Sequence, residues 1–94
     1  MSTVQISSDF VLAAIDMEMT KALNATRELV RLDSIGYSNS QTGLDVAREG
    51  KSHLVKVYEL YALINDPEVK AVQSEIAEAI GKQEIIIRRI ELSL

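Results

Sequence analysis

An apolar stripe with the repeat of an α-helix runs through the first third of the chain. Its members recur in alternating steps of three and four residues, at Leu12, Ile15, Met19, Ala22, Thr26 and Leu29. This spacing places them on one side of a helix, because an α-helix has about 3.6 residues per turn. Ser8 and Asp9 favour a helix start, and Gly36 favours a helix end. The pattern predicts a first helix over residues 8–35.

A second stripe follows the polar segment 36–42, which has the composition of a loop in a helical hairpin. This stripe consists of Gly43, Ala47, Gly50, Leu54, Val57, Tyr61 and Ile64. It predicts a second helix over residues 43–65, which Thr42 and Asp45 would cap.

The side chains of the second stripe are small at its beginning and large at its end. Small residues let a neighbouring backbone approach closely, so we expect Gly43, Ala47 and Gly50 to form a close helix contact within the chain. The alternative interpretation is a slot that receives a helix of another protein.

A third helix is indicated by the residues around the single proline. Asp66 is a good N-cap, Pro67 favours the first helical position, and Glu68 complements the helix dipole. An apolar face follows at Val69, Val72, Ile76 and Ile80. These signals predict a helix over residues 67–94, and the short connection before it favours an antiparallel return along the second helix.

The closing stretch GKQEIIIRRIELSL, residues 81–94, fits two structures. As a helix it continues the third apolar face through Ile86, Ile87, Ile90 and Leu94, and it leaves Ile85 and Leu92 on the opposite face. As a strand it would satisfy the β preference of three consecutive isoleucines, and Gly81 also disfavours a helix. Residues 3–7 alternate well enough to pair with such a strand. We favour the helix.

These segments predict a single all-α domain over residues 1–94. Its expected architecture is an antiparallel three-helix bundle, which combines a helical hairpin with a long C-terminal helix in coiled-coil-like packing. Residues 1–7 form an N-terminal segment. The alternative fold is α+β, with a short C-terminal strand paired to that segment.

Composition excludes several classes of function. The chain has 10 Lys+Arg against 14 Asp+Glu, a net charge of −4, and the two signs are interspersed. A basic stripe for nucleic acid is absent, and no apolar run has the roughly 20 residues needed to span a membrane. Cysteine is absent, and the first residues lack the pattern of a signal peptide. We therefore expect a cytoplasmic protein that binds neither nucleic acid nor a membrane.

The sequence offers little catalytic or metal-binding chemistry. The single histidine, His53, lies four residues after Glu49, but a metal site would need further ligands. The four glycines are dispersed and do not form a phosphate-binding loop. We predict no catalytic residue, no metal and no cofactor, and we interpret His53 as an exposed or partly packed side chain.

In length and helical plan alone, the chain resembles the all-helical chorismate mutases. The resemblance implies a small enzyme that binds an anionic metabolite with converging cations. The residues available for that role are Arg27, Arg31, Arg48, Lys51 and Gln83. The segment after Asp66 and Pro67 departs from the pattern of that family, so this enzyme is the alternative function.

The leading function is a small protein–protein interaction module, such as an adaptor, regulator or assembly factor, that acts as a homodimer and binds another protein. A helical tail would expose a second apolar face, and tyrosines are enriched in contact surfaces. We predict that the interface contains Ile85, Ile86, Arg89, Leu92, Tyr58 and Tyr37.

Overall fold

A computed structural model describes residues 8–94, and it contains three α-helices. Helix α1 spans Ser8–Ser34, α2 spans Gln41–Tyr61 and α3 spans Pro67–Ser93. The part of the chain that the structure describes has no strand, so the all-α prediction is confirmed. The N-terminal segment 1–7 lies outside the described residues.

The end of α1 is set by Gly36, as the sequence predicts. Gly36 has a φ of 79°, a left-handed conformation that favours glycine. The N–H of Gly36 donates to the carbonyl oxygen of Asp33 at 3.1 Å, and the N–H of Tyr37 donates to that of Leu32 at 2.8 Å. This pair of hydrogen bonds is a Schellman motif, which satisfies carbonyl groups that the helix end leaves free.

The predicted bounds of the second helix are wrong at both ends. Ser40 caps α2, and its Oγ accepts a hydrogen bond from the N–H of Gly43 at 3.1 Å, so the helix begins before Thr42. The helix ends at Tyr61, four residues earlier than predicted. Asp66 adopts an extended conformation, because it caps the next helix and precedes a proline.

Helix α3 begins as predicted and continues to Ser93. The side chain of Asp66 accepts a hydrogen bond from the N–H of Glu68 at 2.9 Å, and Pro67 takes the first helical position. The strand alternative for the closing stretch is therefore wrong. Ile87 and Ile90 are buried in the helical arrangement, and that burial offsets the low helix propensity of Gly81.

Helix α2 is the centre of the bundle, and both other helices pack against it. No Cα atom of α1 lies within 8 Å of a Cα atom of α3. The described chain reverses direction twice and forms an elongated body of 56 × 21 × 19 Å. The antiparallel three-helix bundle is confirmed, with the two outer helices held apart.

The buried stripe of α1 is rotated from the predicted one. Val11, Ala25 and Leu32 are buried, whereas Leu12 is exposed. Both stripes share Ile15 and Ala22, but contact with α2 selects the edge that includes Val11 rather than Leu12. The other apolar edge of α1 consequently remains at the surface.

The core has two separate clusters along the length of the bundle. One contains Val11, Ile15, Val57 and Ile76, and the other contains Leu44, Ala47, Ile87 and Ile90. Each cluster includes residues of α2 and α3. Leu29 of α1 packs against the second cluster.

Gly50 lies where side chains of both outer helices reach α2. A Cβ at Gly50 would be 3.3 Å from Nε2 of Gln83 and 3.4 Å from Cβ of Ala25. Gln83 also donates a hydrogen bond to the carbonyl oxygen of Ala47 at 3.0 Å. The neighbours of Gly50 are therefore side chains of α1 and α3, and a larger residue would have to displace them.

We predict that Gly50→Leu destabilises the protein by about 1–3 kcal/mol, because the added side chain overpacks this crossing. Urea unfolding followed by circular dichroism measures the effect. An unchanged midpoint would mean that α1 and α3 are not held against Gly50.

We predict the opposite effect for Gly81→Ala. Gly81 is helical, and a Cβ at this position would meet no atom within 4 Å. The substitution should stabilise the protein by about 0.5–1 kcal/mol, since alanine loses less backbone entropy in a helix. Urea unfolding at two protein concentrations separates the change in helix stability from any change in association. A lower stability of the variant at both concentrations would contradict the prediction.

Candidate interaction surface

The most exposed apolar residues in the last three turns of α3 lie on its side away from α2. Ile85 is 56 % exposed and Leu92 is 82 % exposed. They border a shallow depression of about 270 Å³, which is lined by Gly81, Glu84, Ile85, Arg88, Arg89 and Leu92. We call this surface the outer face of α3. Its position follows from the helix, because residues 85 and 92 point away from the buried Ile76, Ile87 and Ile90.

A second surface is the α1–α3 groove, which the separation of these two helices leaves open. It has a volume of about 400 Å³. Its apolar lining comes from Leu29 and Val30 of α1 and from Ile86 and Ile90 of α3. Asp33 and Arg89 add one charge of each sign at its edge.

The structure divides the predicted interface residues among different surfaces. Ile85 and Leu92 lie on the outer face of α3, Ile86 lies in the α1–α3 groove, and Arg89 borders both. Tyr37 is exposed in the loop after α1. Tyr58 is exposed on α2, where its carbonyl oxygen accepts a hydrogen bond from Gln73 at 3.2 Å. The two tyrosines are thus not part of a patch with Ile85.

The small residues of α2 are buried within the chain. Ala47 is in the second core cluster, and Gly50 meets Ala25 and Gln83. Gly43 packs against the loop, where a Cβ would clash with the carbonyl group of Ser38. The space along this stripe is therefore filled by the chain itself.

The five residues proposed for an anion site do not all converge, since Arg48 and Lys51 line one cleft and Gln83 lines another. Arg27 is exposed, and Arg31 bonds Glu28 on the same helix. Arg48 and Lys51 line a cleft of about 620 Å³ between α2 and α3, together with Lys56 and the acidic Glu59 and Glu91. Within this region Arg48 lies 3.9 Å from Glu91, and Lys51 lies 3.3 Å from Glu84. The side chain of Gln83 instead donates a hydrogen bond to the backbone of α2.

A polar contact between α1 and α2 is the main feature that sequence reasoning missed. Nδ1 of His53 lies 2.5 Å from Oε2 of Glu18, and the two side chains are 12 % and 15 % exposed. Nε2 of His53 lies 3.7 Å from Oε1 of Glu49. One signal was present in the sequence, because Glu18 falls between Ile15 and Ala22 on the helical repeat.

This contact changes the acidity of Glu18. The hydrogen bond with His53 lowers the pKa of Glu18 below its ordinary value of 4.5, and partial desolvation opposes that shift. The positive charges of Lys56 and Lys21 lower the pKa further. Glu18 is therefore held in its ionised form at the α1–α2 interface.

The described residues contain no group of three or more side chains arranged to hold a metal ion. None of the three described helices has the length and apolar character that crossing a membrane requires. Comparison with protein-family models, with curated proteins and with solved structures finds no match for this chain.

We predict that Glu18→Gln lowers stability near neutral pH and has less effect in acid. A carboxylate whose pKa is lowered by folding contributes stability above its unfolded pKa, and that contribution is lost as the pH falls through the folded pKa. The difference between wild type and variant should therefore shrink between about pH 5 and pH 3. Urea unfolding at several pH values measures it.

Glu28→Gln is the matched control. The hydrogen bond with Arg31 also lowers the pKa of Glu28, but this pair is exposed and lies within α1. We expect a smaller effect at neutral pH, because water screens an exposed pair. Equal effects of the two substitutions would contradict a special role for the contact between the helices.

Proposed function

We propose that this protein is a protein–protein interaction module that acts as a homodimer through the outer face of α3. One observation carries the proposal: Ile85 and Leu92 are 56 % and 82 % exposed on a helix whose opposite side is already packed against α2. No other described helix covers them.

Leaving the apolar side chains of Ile85 and Leu92 in water is unfavourable. Fully burying a side chain of this size contributes roughly 1.5–3 kcal/mol. Two such residues on each chain favour association, although the loss of rotational and translational freedom opposes it. Two-fold pairing is the commonest arrangement for identical chains, and it lets both copies bury the same surface.

The α1–α3 groove supports a second binding role in the same module. Its apolar walls suit an amphipathic helix of another protein, which would complete a four-helix arrangement with α1, α2 and α3. The groove and the outer face of α3 lie on different sides of Arg89, so a homodimer leaves the groove free for that partner.

A cytoplasmic location is part of this proposal. It is supported by the absence of cysteine, by the net charge of −4, and by the even mixing of charges along the chain.

We predict that the wild-type protein is a dimer at micromolar concentration and that Ile85→Glu combined with Leu92→Glu gives a folded monomer. The substitutions put like charges into the apolar contact, which disfavours association. Light scattering gives the mass, and circular dichroism reports the fold. A monomeric wild type at high concentration would overturn the homodimer, and an unfolded variant would place these residues in the core.

The matched control replaces two apolar residues of α1 with the same charge. Leu23 and Val30 are 51 % and 65 % exposed, so both are more than half exposed, as both residues of the α3 pair are. Leu23→Glu combined with Val30→Glu should leave the dimer intact. Dissociation of this variant alone would move the self-contact from α3 to α1.

A further inference from the structure

The outer face of α3 has its own seven-residue repeat, separate from the stripe that packs on α2. Its members recur in alternating steps of four and three, at Ser74, Glu78, Gly81, Ile85, Arg88 and Leu92. All are exposed except Gly81, which is half-buried. An alternation of this kind is the seam of a helix that pairs with another helix along its length.

Gly81 has no function inside the chain that requires a glycine. Its φ is not positive, and a Cβ there would meet no atom within 4 Å. Glycine in the middle of a helix is destabilising, and here it leaves a depression beside Ile85. The depression faces away from the bundle, so only a group from outside the chain can fill it.

The two charged residues of the seam are also free of ion pairs within the described residues. Neither Glu78 nor Arg88 has an oppositely charged group within 4 Å. They lie at equal distances along the helix on either side of residue 83, as Gly81 and Ile85 also do.

We infer that the occupant of the outer face of α3 is the same face of a second copy, bound antiparallel, with Glu78 of each chain against Arg88 of the other. This inference rests on the proposed homodimer and specifies its direction and register. The two-fold axis crosses the outer face of α3 at the height of residue 83 along the helix, so Ile85 of one chain enters the depression at Gly81 of the other. Leu92 then lies against Ser74 of the second copy.

Charge selects this direction over the parallel one. A parallel pair in register would place Glu78 against Glu78 and Arg88 against Arg88, so both of these charged layers would be repulsive. In the antiparallel pair, each layer contains Glu78 of one chain and Arg88 of the other, so both layers are attractive. A charged pair at a helix interface contributes direction and register more than affinity, because its desolvation opposes its attraction.

The flanking residues add two attractive pairs and one unfavourable pair to this register. Glu75 of each chain lies beside Arg89 of the other, which adds two attractive pairs. Lys82 meets its own copy near the axis, which is unfavourable. Glu84 is also near the axis, but its charge is already paired with Lys51 of its own chain at 3.3 Å.

The overlap is long enough for a stable helix pair. Centred on residue 83, the contact covers residues 72–94 of each chain, or roughly 34 Å at 1.5 Å per residue. This length corresponds to about three seven-residue repeats.

The test uses the charge variants Glu78→Arg and Arg88→Glu, alone, combined in one chain, and mixed as two single variants. Sedimentation equilibrium measures the dimer dissociation constant, and circular dichroism confirms folding. Each single variant should dimerise roughly tenfold more weakly or worse, because both charged layers become repulsive. The double variant should return to the wild-type constant, and the mixture should form a heterodimer.

Net charge alone predicts a different result. Glu78→Arg reduces the net negative charge and Arg88→Glu increases it, so a general repulsion would weaken only the second variant. Weakening of both variants, with a smaller defect at high salt, supports direct pairing across the interface.

Three outcomes would overturn the inference. Single variants that dimerise like wild type would exclude this register, and the homodimer would still stand if Ile85→Glu with Leu92→Glu is monomeric. Single variants that dissociate without rescue in the double variant or the mixture would exclude the pairing of Glu78 with Arg88. A monomeric wild type instead removes the proposed function, and this inference with it.

Discussion

The arrangement of the bundle depends on the crossing at Gly50, where α2 meets side chains of both outer helices. The absence of a side chain at this position lets Ala25 approach from α1 and Gln83 from α3. Gln83 reaches the carbonyl oxygen of Ala47, so a polar bond ties α3 to the backbone of α2 at the same level. The two apolar clusters are centred on opposite sides of this crossing. Because both outer helices are fixed to α2, they are held apart from each other.

That separation determines how much apolar surface the chain can bury. In a bundle whose three helices all touch, each helix buries two edges of its stripe, but here α1 and α3 each bury mainly the edge that faces α2. Leu23 and Val30 of α1 remain exposed, and Ile86 is only partly covered. A chain of this size has a modest core, and exposed apolar edges of this kind favour association. The α1–α3 groove is therefore a direct consequence of the central position of α2.

The sequence predicted the elements whose cause is local. Gly36 ends α1 and Asp66 with Pro67 begins α3, because these residues act through their own backbone conformation and hydrogen bonds. The sequence was a poorer guide where contacts between helices determine which residues are buried. The choice of Val11 over Leu12 depends on which edge of α1 meets α2, and periodicity does not distinguish two neighbouring edges. The contacts of Glu18 with His53 and of Gln83 with Ala47 join residues about 35 positions apart in the sequence. These contacts could not be predicted without knowing how the helices are placed relative to one another.

Helix α3 has two faces of unlike chemistry, and the contrast bears on how the proposed dimer would behave. Its inner face buries Ile76, Ile87 and Ile90, which makes it inseparable from the fold. Its outer face has only Ile85 and Leu92 as large apolar residues, with charged or small residues between them. An interface with so little apolar area gains modest affinity, whereas its charged layers penalise wrong directions and registers. Such a pairing dissociates without unfolding either chain, and a dimer that exchanges readily suits an adaptor whose partner binds a separate groove.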